Sequence, residues 1–436
     1  MKRHRAIRAT LLTWALFLAS APAFAQGRNC SALLQSVRVR SILEDIYFWQ
    51  REIPDVALTN FDGPEQYLDA VRYRPLDATF SYITTEQANT AFYDASQFVG
   101  FGFSTQITAT GQLRVTQVFP ASPASEAGLQ RGDRLTSISG RAVAELIAAN
   151  ETTAALGPAE IGVSRNIVFM RADGNTSSAQ MTKRLVTIPT VSLTRVLNVD
   201  GRRVGYVFFR NFVQPSFAAL DAAFAELQAA GVSELVLDLR YNGGGLVSVA
   251  QHLASLIGGS LTNGQVFTEF FHNDRNTDRN EVLRFERKAN ALTVNRIFVI
   301  TTRASASASE LVINSLRPFM PVIQIGDRTF GKPVGQYSFT FCQKVLVPVS
   351  FTLRNANREG DFFNGLQATC AAADDVERPL GDELEGSLRE ALTYIRTGAC
   401  TTTVGIGVRS LRSGIDSLSQ SSLPDATGWE QLLGAH

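Results

Sequence analysis

Three apolar runs in the second half of the chain end in turns of small or polar residues, and this repeated construction limits the fold more than any other feature. The most constraining run, Arg296-Ile297-Phe298-Val299-Ile300-Thr301, reads as a buried strand. It leads through Arg303-Ala304-Ser305-Ala306-Ser307-Ala308-Ser309-Glu310 into a helical pattern over residues 311–317. A small-residue turn between strand and helix start sets hydroxyls at a rim, with unpaired backbone N–H groups beside them. A second run, Glu234-Leu235-Val236-Leu237-Asp238-Leu239, ends in Arg240-Tyr241-Asn242-Gly243-Gly244-Gly245 and enters a helix through Leu246, Val249, Leu253 and Leu256. Its glycines let backbone approach a ligand and turn amides outward. The third, Val322-Ile323-Gln324-Ile325-Gly326, leads to Asp327-Arg328-Thr329-Phe330-Gly331-Lys332. Three strand ends thus offer a nucleophile, an anion-binding backbone and an amine to one place. Composition alone does not choose among Ser305, Ser307 and Ser309.

The chain starts with a basic stretch (Lys2, Arg3, Arg5, Arg8), an apolar segment from Leu11 to Ala19, and Ala23-Phe24-Ala25. This is the pattern of a secretory signal cleaved near Ala25, which predicts an exported protein, periplasmic or extracellular. Removing residues 1–25 takes away four basic and no acidic residues and moves the formal charge from +1 to −3. No basic patch then argues for nucleic acid, and no later segment has the length and apolarity to span a bilayer. Cys30, Cys342, Cys370 and Cys400 suggest two disulfides in an oxidising compartment. The expected pairs are Cys342 with Cys370 and Cys30 with Cys400, each stapling one region. Their spacing lacks the paired short intervals of a metal site, and neither metal nor cofactor is expected.

In order, residues 26–96 carry helical spacing (Leu33, Val37, Ile42, Ile46, Tyr47, Trp49) and read as a small helical N-terminal domain, with Trp49 and Phe80 as core aromatics. Residues 97–185 switch to short alternating strands, including Phe98-Val99-Gly100-Phe101-Gly102-Phe103, Gly128-Leu129 and Arg131-Gly132-Asp133. This stretch resembles a PDZ domain, which implies that Val99, Gly100, Phe101 and Gly102 bind a peptide's C-terminal carboxylate while the peptide adds to a sheet edge. Residues 186–400 alternate strands and helices and read as an α/β core, with strands at 187–193 and 203–210 and an amphipathic helix at 216–229. Residues 273–287 are polar and read as an exposed insertion or lid. Residues 401–436, rich in Ser, Thr and Gly, read as a loosely packed tail.

Taken as a set, Asp238-Leu239-Arg240-x-Asn242-Gly243-Gly244, Ser307-Ala308-Ser309-Glu310 and Gly331-Lys332 followed by Gln336 resemble the C-terminal processing peptidases, or tail-specific proteases. These are serine peptidases with a Ser-Lys pair. The resemblance implies a multi-domain α/β protein with a crotonase-like α/β spiral as protease core, an inserted or preceding PDZ-like β domain and a helical N-terminal domain. It makes Ser307 the nucleophile and Lys332, 25 positions on, the base, with Gln336 orienting the amine. The oxyanion would be held by the N–H of Ala308 and of a glycine in the Gly243-Gly244 turn. Substrates would be proteins or peptides with free C-terminal tails, and an adaptor or a homo-oligomer is compatible with such a chain.

The residues agree with that implication. His4, His252, His272 and His436 are the only histidines, and the helix after the glycine turn gives His252 a packing role rather than a catalytic one. A lysine replaces histidine as base only if burial makes it neutral near pH 7. Phe330-Gly331 and Pro333-Val334-Gly335 around Lys332 fit such burial, in a chain that elsewhere favours arginine. Asp238 and Arg240 suit an ion pair that braces the glycine turn, and Glu310 a helix-start acceptor. Two features depart from the family pattern, Pro333 after the lysine and Cys370 through Asp375 in the closing segment. Both bear on regulation and substrate fit rather than on nucleophile, base or oxyanion donors. Two other readings share parts of this layout: a PDZ-type module that binds protein tails on a protease-like scaffold, and a crotonase-type acyl-CoA enzyme. Export argues against the second, because acyl-CoA is cytoplasmic.

Overall fold

The computed structural model describes residues 30–401 apart from residue 293. The expected signal at 1–25 and all but the first residue of the 401–436 tail lie outside the described residues.

A six-stranded sheet organises the larger α/β part, in the order Val191–Val199, Arg202–Phe209, Glu234–Asp238, Ile297–Thr301, Val322–Gly326 and Cys370–Ala371. The first pair is antiparallel and the other four pairings are parallel. The strands are apolar on both faces because helices cover both. Val207, Leu235, Leu237, Ile297 and Val299 pack with the helices Ser216–Ala229, Val247–Thr262 and Ala308–Leu316. Their alternates Tyr206, Val236, Phe298 and Ile300 pack with Leu388, Ala391, Leu392 and Ile395 of the helix Gly386–Thr397. Parallel strands bring their C-terminal ends to one edge, so the turns after Asp238, Thr301 and Gly326 meet there.

Against this lies an antiparallel sheet of Val282–Arg284, Val266–His272, Val349–Arg354 and Val334–Gln336. Residues 273–287 are mostly exposed, as expected, but are anchored rather than free. Val282–Arg284 is a strand of that sheet, and the buried amides of Asn273 and Asn276 donate to Asp45 O at 2.8 Å each. Polar residues satisfied by backbone can be interior, a condition that hydropathy does not register.

The N-terminal helices Ala32–Ile46, Pro64–Val71 and Glu86–Ala95 do not pack alone. The strand Tyr82–Thr85 pairs with Lys344–Val347, which pairs with Phe339–Phe341, so the N-terminal segment shares a sheet with residues of the core. The PDZ domain is a separate antiparallel sheet, Phe103–Ile107, Leu113–Val118, Arg134–Ile138, Ser164–Met170 and Thr176–Thr182, around its own core of Phe101, Phe103, Val115, Ile138, Ile167 and Phe169.

The disulfides are Cys30–Cys342 and Cys370–Cys400, not the expected pairs. Cys30 precedes the helix whose Val39, Leu43 and Ile46 pack with Phe341 and Leu346 flanking the Cys342 turn. Cys400 follows the helix that packs beneath the edge strand containing Cys370. Packing of each helix set the partner, and sequence separation did not indicate it.

Candidate active site

The three serines of the 303–310 turn are sorted by their hydrogen bonds. Ser305 Oγ donates to Leu239 O at 2.8 Å and Ser309 Oγ to Asn242 O at 2.8 Å, and both side chains are fully buried. Their hydroxyls stitch this turn to the glycine turn beside it. Ser307 lines an open cavity of about 480 Å³ instead. It caps the helix Ala308–Leu316 with φ 56° and ψ −114°, a conformation unusual for a residue with a Cβ, and its N–H is held by the Glu310 carboxylate at 2.8 Å. Backbone strain of this kind persists where surrounding bonds over-determine it, and it collects at reacting residues.

Lys332 lines the same cavity and is only 6% exposed. Burial pulls its amine down to about 8, against the opposing charges of Asp77 and Glu310. Nζ donates to Gln336 Oε1 at 2.5 Å, and Gln336 Nε2 is fixed by the carbonyls of Phe80 and Val347, each at 2.7 Å. Among the described residues no hydrogen bond joins Ser307 Oγ to Lys332 Nζ. The two line one cavity while Gln336 holds the amine.

Glu310 links the nucleophile turn to the base turn. Its buried carboxylate accepts from the N–H of Ser307 and of Lys332 at 2.8 Å, from Gly331 N at 2.7 Å and from Thr329 Oγ1 at 2.5 Å. Burial raises its pKa, and these donors oppose the rise. The sequence suggested a helix-start acceptor; the bonds across the base turn were not visible in it.

In the glycine turn, Asn242 Oδ1 accepts from Gly244 N at 2.9 Å, so the Gly244 N–H, one of the expected oxyanion donors, is already engaged. Among the described residues the N–H groups of Gly243 and Ala308 make no such bond, and both residues line the cavity. Gly244 matters sterically: at φ +101° an added Cβ would lie 2.8 Å from Ser307 Cβ and 2.9 Å from Ala308 N. Gly244→Ala is expected to lower kcat by roughly 10²-fold by displacing Ser307, in a chain whose circular dichroism stays that of the parent. Steady-state kinetics beside the spectrum checks this.

The turn is braced from below. Arg240, fully buried, donates to Asp238 Oδ2 at 2.8 Å, Asp374 Oδ1 at 2.9 Å and Glu385 Oε1 at 2.8 Å, while Tyr206 OH donates to Asp238 at 2.7 Å. Asp374 belongs to the segment that departs from the family pattern, and it also receives Arg131 of the PDZ domain at 2.9 Å. His252 pairs with Asp221 at 3.0 Å, its pKa lowered by burial, and lies outside the cavity lining.

The four PDZ positions fall in two groups. Val99 and Gly100 belong to the strand Gln97–Gly100, paired with Leu185 and Arg184. Phe101 and Gly102 follow it, with their carbonyls held by Ala124 N at 2.9 Å and Phe119 N at 2.8 Å. Among the described residues their N–H groups make no hydrogen bond.

Residues 203–365 match the model of peptidase family S41, residues 36–82 the S41 N-terminal domain and residues 114–153 a PDZ domain. Over residues 203–365 the chain is similar to peptidase family S41. Among its relatives are the chloroplastic C-terminal processing peptidase of Tetradesmus obliquus, 30% identical over 49% of this chain and 46% of the relative, and the carboxy-terminal-processing protease of Bartonella bacilliformis, 27% identical over 59% and 57%. The crystal structure of an S41 family protein from Bacteroides fragilis superposes with a TM-score of 0.67 at 25% identity, covering 83% of this chain and 97% of the other. The chain spans about half the length of the curated relatives it matches. Among the described residues no helix is long and apolar enough to cross a membrane.

Proposed function

We propose that this chain is an exported serine endopeptidase that cleaves protein substrates through an acyl-enzyme on Ser307. The observation that carries the reading is the shared cavity: a strained serine whose hydroxyl, among the described residues, donates to no backbone carbonyl as those of Ser305 and Ser309 do, and a buried lysine whose amine is pulled down to about 8. In the proposed reaction the substrate carbonyl enters between them, and Ser307 Oγ gives its proton to Lys332 Nζ as it attacks. The tetrahedral oxyanion is taken by the N–H groups of Ala308 and Gly243. Collapse breaks the C–N bond and Lys332 returns the proton to the departing amine; a water deprotonated by Lys332 then attacks the acyl carbonyl, the C–Oγ bond breaks, and Lys332 gives that proton back to Ser307 Oγ. Gln336 keeps the amine aimed at the cavity. Proton transfer requires hydroxyl–amine contact, which in free enzymes is often completed only when substrate binds.

Leu246, Phe270, Leu311, Phe351, Leu353 and Phe362 give the cavity an apolar wall, which favours an apolar side chain at the cleaved bond. The N–H groups of Phe101 and Gly102 suit capture of a chain's terminal carboxylate, with the edge strand Phe103–Ile107 beside them. Two disulfides fit the oxidising compartment that the N-terminal signal pattern predicts.

The test compares the mature parent with Ser307→Ala and Lys332→Ala on an unstructured protein with an apolar C-terminal tail, followed by mass spectrometry. Cleavage by the parent alone supports the reading. Equal behaviour of all three favours tail binding without catalysis. The neutral amine is the reactive form, so kcat/KM is expected to rise with pH along a limb centred near 8 and to level above it. A pH–rate profile on a short peptide checks this.

A further inference from the structure

We propose that Asp77, in the N-terminal segment, is a positioning residue for the base: it fixes the turn whose Phe80 carbonyl holds Gln336 and, through Gln336, the amine of Lys332. The inference rests on the Ser-Lys reading above and extends it to a part of the chain that supplies neither nucleophile nor base.

The chain of bonds is continuous. Asp77 is fully buried, and its Oδ1 accepts from the N–H groups of Phe80 and Ser81, each at 2.9 Å. Its Oδ2 accepts from Ser81 Oγ at 2.5 Å and from Tyr47 OH at 2.8 Å. These four donors set the Asp77–Ser81 turn so that Phe80 O points at Gln336 Nε2, 2.7 Å away. The same turn is locked to the base's own sheet, because Ser81 Oγ accepts from Val349 N at 2.9 Å, and Val349 is the strand partner of Gln336. Gln336 thus receives one carbonyl from the N-terminal segment and one, Val347 O, from the core. Only an amide so doubly fixed by its N–H₂ must present its oxygen, and not its nitrogen, to the lysine. The Phe80 ring adds a second contact, 5.7 Å from Lys332 Nζ.

Asp77 also acts by charge. Asp77 and Glu310 are the two carboxylates that favour the protonated amine, in opposition to burial. Glu310 is anchored to the base backbone by hydrogen bonds, whereas Asp77 reaches the amine only through the Phe80 turn and through space. Removing the Asp77 charge lowers the amine's pKa further, so the neutral base is reached at lower pH.

The test is a pH–rate profile of the full mature chain on a short quenched peptide, for the parent, Asp77→Asn and Ser81→Ala. Asparagine keeps an acceptor for the two N–H groups while removing the charge. The expected result for Asp77→Asn is a kcat about 10-fold lower with KM within about twofold, and an acidic limb displaced to lower pH by about half a unit or more. Ser81→Ala keeps the charge and cuts the link to Val349; it is expected to lower kcat with KM unchanged while the limb stays in place. A purely structural Asp77 would lower the melting temperature and leave kcat and the limb of folded protein at the parent values, which would overturn the proposal. If Asp77→Asn does not fold, a parental kcat in folded Ser81→Ala overturns it equally. Failure of the Ser-Lys reading is separate and shows as undiminished turnover by Ser307→Ala.

Discussion

Lys332→Met is expected to lower kcat by about 10²–10⁴-fold while the protein stays folded and at least as stable as the parent. Methionine matches the length of the lysine stem and carries no basic nitrogen. The site is almost completely buried, and burial opposes the charge of the amine, so an uncharged thioether there relieves a penalty that folding otherwise bears. A base that is costly to the fold but necessary to the reaction gives this opposite pair of effects. Lys332→Arg is expected to be as inactive for a different reason, since a guanidinium stays protonated at any working pH. Turnover on a quenched peptide, with thermal unfolding recorded on the same preparations, reads both quantities. Activity lost together with stability in Lys332→Met would mean that the lysine serves the fold and not the chemistry.

Arg240→Ala is expected to destabilise the protein by about 3–5 kcal/mol, the largest stability loss predicted for a single side chain here. The guanidinium stands between the carboxylates of Asp238, Glu385 and Asp374, and both it and Asp238 are fully buried. Its removal leaves Asp238 and Glu385 buried without their counterion and Asp374 with Arg131 alone. The glycine turn follows directly at Tyr241, and Thr302 Oγ1 of the nucleophile turn donates to Arg240 O. The destabilised variant is therefore expected to lose kcat as well, even where it is folded. Urea unfolding with an unchanged slope and a lower midpoint measures the first effect. A midpoint within experimental error of the parent would show that the ion cluster contributes nothing net.

The α/β layering and the three strand-end turns were legible because they rest on local patterns: apolar runs of strand length, glycines, and small residues before a helix. The helix Ser216–Ala229 and the strand Ile297–Thr301 lie where periodicity put them, within a residue. What distinguishes Ser307 from Ser305 and Ser309 was not local. Each sits in the same Ala-Ser repeat, and only the carbonyls of Leu239 and Asn242, about 65 positions earlier in the chain, claim two of the hydroxyls. The family resemblance selected Ser307, and the hydrogen bonds give a physical reason for the choice. Phe80 was read as a core aromatic because a backbone carbonyl has no sequence signature, yet that carbonyl is what anchors Gln336. The same blindness to packing explains the disulfides and the anchoring of Asn273 and Asn276. Which helix end lies over which turn, and which asparagines meet carbonyls, is decided by tertiary contacts between residues far apart in the chain, 30 positions for Cys370–Cys400 and 312 for Cys30–Cys342.

The central claim is that acyl transfer occurs on Ser307, and trapping that intermediate tests it most directly. The mature parent and Ser307→Ala would be mixed with a slowly deacylated activated ester bearing an apolar acyl group, quenched in acid, and analysed by intact mass and peptide mapping. One acyl group is expected on the parent, located in the peptide containing Ser307, and none on the variant. An acyl group that persists in Ser307→Ala, or that maps in the parent to a different residue, would contradict it.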